Sequence, residues 1–339
     1  MYELEVPGQE KAREYLLKAF QSGKVSHAFL FVGPPGTGKS EMALWFAALL
    51  TCASPAASPA APCGTCASCR KIRTSNHPDV RVVKPDEKTL NIRIEEIRGL
   101  QRDANFQPIE SARKVFIVQN AHRLLDGAAN CFLKVLEEPP SHTVMLLTSV
   151  TLHALLPTIV SRCQVVKFAP LDREHLAEHL ISREGLPPEK ALVIAHISQG
   201  SAGRARELAG REGLWETRKK VLELCAAATS LSARDVAISV DGLSKGQEEY
   251  ELVLEFTLGW LRDLLVVKEK AGEAGLINID MEKRLEDQAS QLTIWQITEG
   301  IALVKEAYEQ LRMQVNPLYV LERMFLSFNR AAQGAESWK

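Results

Sequence analysis

The sequence predicts an α/β fold: a parallel-sheet nucleotide-binding domain that carries a cysteine module and is followed by an all-helical remainder. Three observations carry this. A glycine-rich stretch, Gly33-Pro34-Pro35-Gly36-Thr37-Gly38-Lys39-Ser40, sits between the apolar run Ala28 to Val32 and the apolar helix-like segment Met42 to Leu50. Short apolar runs then alternate with helical patterns as far as Phe168, and beyond Pro170 only helical spacing is found.

The glycine-rich stretch fits the P-loop pattern of two glycines four residues apart followed by Lys and Ser. Glycine lets the backbone curl so that successive N–H groups face phosphate oxygens, and a helix beginning near Lys39 points the positive end of its dipole at the same place. Gly33, Gly36, Thr37, Gly38, Lys39 and Ser40 are therefore the candidate nucleotide-binding residues, with Lys39 reaching the outer phosphates of ATP and Ser40 holding Mg²⁺. Binding a nucleotide and hydrolysing it are separate properties, and the rest of the chain bears on the second.

A chain of 339 residues is long for a single core, so two or three domains are expected. The hydrophobic fraction of 46% suits a folded protein, and a formal net charge of -1 leaves no global basic footprint for nucleic acid. Any such contact must be local or shared with other subunits. Met1 to Gln9 lacks the basic-then-apolar pattern of a secretory signal, and the run Ala43 to Leu50 is too short to cross a bilayer, so a cytoplasmic protein without membrane contact is expected. Seven cysteines in a reducing compartment argue for metal or free thiols before disulfides.

In chain order, Gln9 to Gln21 reads as an amphipathic helix, with Leu16, Leu17 and Phe20 on one side and Gly23 as its stop. The first strand and the P-loop helix follow. Ala53 to Pro62, nearly all Ala, Ser and Pro, reads as a solvated linker. Cysteines flank it. Cys63, Cys66 and Cys69 make two overlapping C-x-x-C steps, and Cys52 adds a fourth thiolate across the linker, which suits one structural Zn²⁺ in a closed tetrahedral site. The alternative is four unligated thiols. A catalytic zinc is disfavoured because no nearby ligand set leaves an open position, His77 lying beyond the cluster beside Pro78.

Val80 to Val83 is the next strand, and Ile94, Ile97 and Leu100 place a docking helix over Arg93 to Asp103. Lys114 to Val118 is a buried strand of the kind that ends in an acid pair in nucleotide hydrolases. Here Gln119 and Asn120 follow, and neither offers a carboxylate to hold Mg²⁺ or orient water. Asp126 to Glu138 is a helix stopped by Pro139-Pro140, and Thr143 to Leu147 is a strand with Thr148 at its polar tip, either a phosphate-sensing position or a plain strand cap. After Leu156 to Cys163 comes strand Gln164 to Phe168. Arg173 to Glu184 and Pro188 to Ser198 read as short helices. Further on, Leu254, Leu258, Leu261 and Leu265 line one helix face, and Ile297, Ile301, Val304, Tyr308 and Leu311 line another. Trp260 and Trp295 are read as core residues of this bundle rather than interface anchors.

The series Gly8 to Glu10, Ser26 to Ser40, the four-cysteine module, Ala128 to Pro140, Leu155 to Cys163 and Gln199 to Ala205 resembles the clamp-loader branch of the AAA+ ATPases of bacterial DNA polymerase III. The likeness is specific over about the first two thirds of the chain. Beyond Arg211 it rests on helical periodicity and on Asn316-Pro317-Leu318 with Leu321-Glu322. The resemblance implies an AAA+ nucleotide-binding domain over 1–168 with a zinc module at 52–70, a small helical lid over 169–210, and a helical oligomerisation (collar) domain over 211–339. It also implies a heteropentamer with gamma/tau and delta subunits that loads a ring-shaped sliding clamp onto primer-template DNA. In the Ser161-Arg162-Cys163 motif, Arg162 is expected to act in trans on a neighbour's nucleotide, although a surface Arg at a helix end would look the same. Arg204 matches the second sensor position of the lid, with an ordinary solvated helix Arg as the alternative. The departure at Gln119 and Asn120 separates this chain from motor-type gamma/tau subunits and predicts an ATP-binding, non-hydrolysing subunit. The rival classes are an active ATPase motor and a zinc-ribbon nucleic-acid-binding protein.

Overall fold

The computed structural model describes residues 6–54, 61–243, 247–271 and 275–332. The start of the chain and the middle of the predicted 53–62 linker lie outside these residues. At the linker's ends Ala53 and Ser54 are exposed, whereas Ala61 and Pro62 are buried, so this part of the segment is not solvated as predicted. The chain divides into two compact units, residues 1–176 with 200–204 and residues 177–199 with 205–339.

The first unit is built on a five-stranded sheet in the order β2-β3-β4-β1-β5, where β1 is Ala28–Val32, β2 Val80–Val83, β3 Lys114–Val118, β4 Thr143–Ser149 and β5 Gln164–Lys167. Every pairing is parallel. Parallel strands need helical crossovers that cover both faces, which is why β1, β3 and β4 read as unbroken apolar runs rather than alternating ones. On one face Phe29, Phe31, Val115, Ile117, Val144 and Leu146 meet helices α1 (Glu10–Gln21) and α2 (Lys39–Thr51). On the other, Ala28, Leu30, Phe116, Val118, Met145 and Leu147 meet α4 (Ile94–Ala104) and α5 (Asp126–Glu137), which follow α3 (Ala67–Arg73) in the chain. Helix α2 is buried on nearly all sides from Met42 to Leu50, as its all-round apolar sequence requires.

Strand β4 runs two residues past the predicted Leu147. Phe31 pairs with Thr148 and Val32 with Ser149, and the Gly33 N–H still donates to the Ser149 carbonyl at 3.2 Å. Thr148 is thus a buried residue within the strand rather than the polar tip beyond its end. The sequence signal failed here because polar residues that ladder against a neighbouring strand look like a strand end.

Asp79, just before β2, is a buried anchor. Its carboxylate accepts from the backbone N–H groups of Ile109 (2.7 Å), Glu110 (2.8 Å) and Ser111 (2.9 Å) and from the Ser111 hydroxyl (2.9 Å). Burial pushes its carboxyl up, but these donors outweigh burial and hold it below the usual carboxylate range. A depressed folded-state value stabilises the fold above the unfolded value of about 3.9 and loses that contribution as pH falls through the folded value. Asp79→Ala strands several buried donors, so we expect a loss on the order of 3 kcal/mol at neutral pH. The gap from wild type should narrow in acid, as read by urea unfolding at pH 7 and pH 3. An unchanged midpoint at pH 7 would rule the anchor out.

The second unit is helical: the rest of α7 (Arg173–Glu184) and α9 (Ala202–Ala209), with α8 (Pro188–Ile197), α10 (Leu214–Ala227), α11 (Ala233–Asp241), α12 (Gln247–Lys268), α13 (Glu282–Gln291), α14 (Ile294–Arg312) and α15 (Pro317–Ala332). Helix α12 is its centre. Leu254 and Leu261 are buried as predicted, but so are Leu252, Val253, Phe256, Trp260 and Leu264, so α12 is a core helix packed against α10, α13, α14 and α15 rather than a one-faced one. Trp260 lies in the core, where its Nε1–H donates to Gln288 Oε1 at 2.7 Å, and Gln288 Nε2 donates on to the Cys225 carbonyl at 2.9 Å. Trp295 contradicts its predicted core place. It stands in the first turn of α14, where the buried face is Ile297, Gly300, Val304 and Ala307, and it is 61% exposed.

Candidate functional site

The P-loop leaves β1 at Val32 and enters α2 at Lys39, so the glycine-rich turn caps the sheet at the carboxyl end of a central strand. Ligands of open α/β sheets bind at such strand ends. Gly36 (φ +69°) and Gly38 (φ +84°) both occupy the left-handed region. A side chain there would also collide with neighbours, since a Cβ on Gly36 would lie 1.9 Å from Ser201 Oγ and one on Gly38 2.0 Å from a Val6 methyl. The Gly203 N–H donates to the Gly36 carbonyl at 3.1 Å, which places the Gly200–Arg204 segment, and with it the backbone of Arg204, against the P-loop.

Lys39 is buried and folded back, donating from Nζ to the carbonyls of Gly33 (2.6 Å) and Pro34 (2.5 Å); burial lowers its pKa to about 8. Thr37 Oγ1 donates to the Pro34 carbonyl at 2.9 Å, and Ser40 is half-buried at the start of α2. These contacts hold the loop in shape and keep an ammonium among backbone groups that phosphate oxygens can replace.

A cleft of about 630 Å³ opens in front of the loop, lined by Gly36, Gly38, Lys39 and Ser40, by Gln119, Asn120, His122 and Arg123 after β3, and by Thr148. Thr148 Oγ1 accepts from the Asn120 N–H at 2.9 Å, tying β4 to the end of β3, and Asn120 itself is left-handed at φ 51°. Lys84, Asp86 and Glu87, from the segment after β2, close the far side; no motif marked these three, nor Arg123, because the topology alone brings them here. A larger cavity of about 980 Å³ lies beside edge strand β2, but no P-loop residue lines it, so size does not locate the nucleotide chemistry.

The donor set for a hard dication is poor. Magnesium takes carboxylates and other oxygens in an octahedron. The carboxylates lining the cleft are Glu41, Asp86 and Glu87. Asp86 already accepts from Lys88 N–H (3.1 Å), Thr89 N–H (2.9 Å) and Thr89 Oγ1 (3.2 Å) and faces Arg93 at 3.6 Å. Gln119 and Asn120 bring only neutral amides to the strand end where nucleotide hydrolases carry an acid pair. The residues present do not fit Mg²⁺.

The cysteines fit a metal well. Cys52 caps the C-terminus of α2 and Cys66 the N-terminus of α3, and the four Sγ atoms of Cys52, Cys63, Cys66 and Cys69 all lie within 4.8 Å of one another. The Sγ separations are 4.0 Å for Cys52 and Cys66, 4.0 Å for Cys63 and Cys69, and 3.8 Å for Cys52 and Cys69. A tetrahedron with zinc–sulfur bonds of about 2.3 Å has edges of about 3.8 Å. Backbone N–H groups of Cys63, Cys66 and Cys69 donate to the sulfurs of Cys52, Cys63 and Cys66, each at 3.4 Å, as thiolates require. The N–H groups of Cys66 and Thr65 lower the Cys63 thiol to about 6, whereas burial raises those of Cys52 and Cys69. His77 is not a ligand: its Nε2 is 2.9 Å from Ser68 Oγ and its Nδ1 accepts from the Asp79 N–H.

Arg162 lies on the turn between α6 (Pro157–Val160) and edge strand β5. Its guanidinium donates to Glu137 Oε1 at 3.0 Å and to the Thr158 carbonyl at 3.1 Å, and it stays partly exposed. The structure therefore brings Thr148, Gly36, Gly38, Lys39 and Ser40 to one cleft and Arg204 beside it, with Gly33 and Thr37 buried within the loop, while the cysteines and Arg162 form separate places on the unit.

No described helix is long and apolar enough to cross a membrane. The family model described as "DNA polymerase III, delta subunit" matches residues 8–172, and "DNA polymerase III, delta subunit, C terminal" matches residues 212–330. The chain is 31% identical over 321 residues to DNA polymerase III subunit delta' of Bacillus subtilis, covering 94% of this chain and 95% of that protein. It is 34% identical over 261 residues to subunit delta' of Pseudomonas aeruginosa, covering 76% and 77%. To subunit tau of Bacillus subtilis it is 27% identical over 342 residues, covering 94% of this chain and 60% of tau. The Bacillus subtilis delta' match runs nearly end to end in both chains, both delta' identities exceed that to tau, and the chain belongs to the DNA polymerase III delta-prime family of clamp-loader subunits.

Proposed function

We propose that this subunit binds a nucleotide at Gly33, Gly36, Thr37, Gly38, Lys39 and Ser40 without hydrolysing it, and serves the assembly by donating Arg162 to an ATP held by a neighbouring gamma/tau-type subunit. The observation that carries this is the pairing of an intact P-loop with an acid-free strand end at Gln119 and Asn120. Arg204, whose backbone lies against Gly36, fits the second sensor position, and Thr148 is close enough to the cleft to fit the first. The four cysteines would hold one structural Zn²⁺. Through the complex the subunit would help place a sliding clamp on primer-template DNA, in the cytoplasm.

A three-domain partition at 168/169 and 210/211 is part of the same reading, with 211–339 as the oligomerisation domain. Ile294, Trp295, Met313 and Tyr319 are large apolar side chains of that region left exposed, and they are the contacts such an assembly would use first.

Turnover by the purified chain alone tests the catalytic half of this proposal. Without a carboxylate at the β3 end to position water, the rate should fall roughly a thousandfold below that of a working site. Equilibrium binding of labelled ATP should survive in the wild type and be weakened at least tenfold by Lys39→Ala, which removes the charge reaching the phosphates. Robust turnover that Lys39→Ala abolishes would make this chain a motor and overturn the reading.

A further inference from the structure

The sharpest disagreement between this chain and the chemistry of its fold lies where a magnesium ion would sit. The β3 end offers neutral amides, the Asn120 N–H is committed to Thr148 Oγ1, and Asp86 has its Oδ1 taken by Lys88 and Thr89 while its Oδ2 faces the Arg93 guanidinium at 3.6 Å. Glu41 and Glu87 line the cleft as exposed side chains, away from the neutral amides of the β3 end in the chain. A nucleoside polyphosphate entering the cleft carries several negative charges, and binding is possible only if something there offsets them.

Cations of the chain itself are placed to do so. Lys84 and Arg123 both line the cleft and are exposed, and neither makes an ion pair among the described residues. The backbone holds them firmly: the Arg123 N–H donates to the Asn120 carbonyl at 2.8 Å, the Arg123 carbonyl accepts from the Ile92 N–H at 2.8 Å, and Lys84 directly follows β2. His122 Nδ1 is buried in the same wall and has no hydrogen-bond partner among the described residues. Burial first, and then the charges of Arg123 and Lys39, keep its imidazole below its ordinary pKa.

We propose that the cleft takes a nucleoside di- or triphosphate without a divalent cation, with Arg123 and Lys84 supplying beside Lys39 the positive charge that magnesium supplies in a hydrolysing site. This rests on the reading of the P-loop as a nucleotide site. It gives that reading a physical reason to persist after the acids are gone. A guanidinium and an ammonium can neutralise phosphate oxygens statically, but they neither bridge nor activate water as a metal does. The nucleotide would stay as a structural ligand.

The test is fluorescence anisotropy of a labelled ADP and a labelled ATP on the intact purified chain, in millimolar Mg²⁺ and in EDTA without added divalent ions. We expect the two dissociation constants to agree within roughly threefold, a difference of well under one decade. Arg123→Ala and Lys84→Ala, both at exposed positions, should each weaken binding in EDTA roughly five- to tenfold with an unchanged melting temperature, because each removes one charge close to phosphate. The double change Gln119→Asp with Asn120→Glu should make binding sensitive to EDTA. Loss of tenfold or more in affinity when EDTA replaces Mg²⁺ in the wild type would overturn the proposal while leaving the nucleotide site standing. Equal affinity that neither Arg123→Ala nor Lys84→Ala alters would also overturn it. Absence of binding in both buffers would remove the nucleotide reading as well.

Discussion

With Arg162 replaced by alanine, the reconstituted clamp loader should hydrolyse ATP about 10³-fold or more slowly at the site this side chain serves, because an arginine donated across a subunit boundary neutralises charge on the transferring phosphoryl group. A thousandfold corresponds to about 4 kcal/mol of transition-state stabilisation. The partner that Arg162 holds within its own chain is weaker by comparison. The Glu137 pair is partly exposed, and such pairs contribute about 0–1 kcal/mol, so a phosphate can displace Glu137 with little loss. Glu137 and the Thr158 carbonyl then serve to aim the guanidinium from its turn. Lysine at 162 should rescue little, since a point charge cannot match a planar fork on phosphate oxygens.

Two controls separate this role from simple scaffolding. Glu137→Gln keeps a hydrogen-bond acceptor and should leave turnover within about threefold, as expected for an exposed contact. Gel filtration should show equal assembly for wild type and Arg162→Ala, and the mutant chain should keep its metal content and nucleotide affinity, because the cysteine cluster and the P-loop contain no atom of Arg162. Single-turnover hydrolysis in the assembled complex is the measurement. An unchanged rate in a fully assembled loader would mean that the subunit contributes no finger.

The parts of this molecule that were legible in the sequence are those whose information is local. The apolar runs of β1, β3 and β4 read as strands because burial on both faces leaves little other composition, and the P-loop and cysteine spacings each encode their geometry within a few residues. Long-range placement was not legible. Lys84 and Arg123 reach the cleft because β2 and β3 are neighbours in the sheet, a pairing that no spacing in the chain announces. Thr148 looked like a strand tip because its polarity hid a ladder with Phe31. Trp295 looked like core because a Trp on a helical stripe usually is, yet the buried face of α14 runs through Ile297, Gly300 and Val304 and leaves that position in water. Helix α12 was assigned one face and has many, since burial by several partner helices is decided by tertiary packing.

Removing the metal, or one of its ligands, should have the largest effect on the fold itself. Structural zinc in small modules typically contributes about 10–16 kcal/mol of apparent binding free energy near neutral pH, more than the whole stability of many domains. Here the four cysteines close the loop between α2 and α3, and among the described residues the other hydrogen-bond ties are few: Ser68 to Thr51 and His77, Arg70 Nη1 to the Thr65 carbonyl at 3.0 Å, and Arg73 Nη2 to the Gly64 carbonyl at 2.8 Å. Protein prepared without chelator should contain one zinc per chain by elemental analysis. Cys69→Ser, which removes a fully buried ligand, should abolish stoichiometric zinc and expose the region from Cys52 to Arg70 to protease and to amide exchange. The damage should stay at that end of α2. The helix has 13 residues, so about 20 Å separates Cys52 from Lys39, and its middle is fixed independently by Trp45 and Phe46 in the core. Nucleotide affinity of Cys69→Ser should accordingly remain within about threefold of wild type. Wild-type protein free of metal, or a Cys69→Ser chain whose exchange pattern matches wild type, would show that the four thiols pack without an ion.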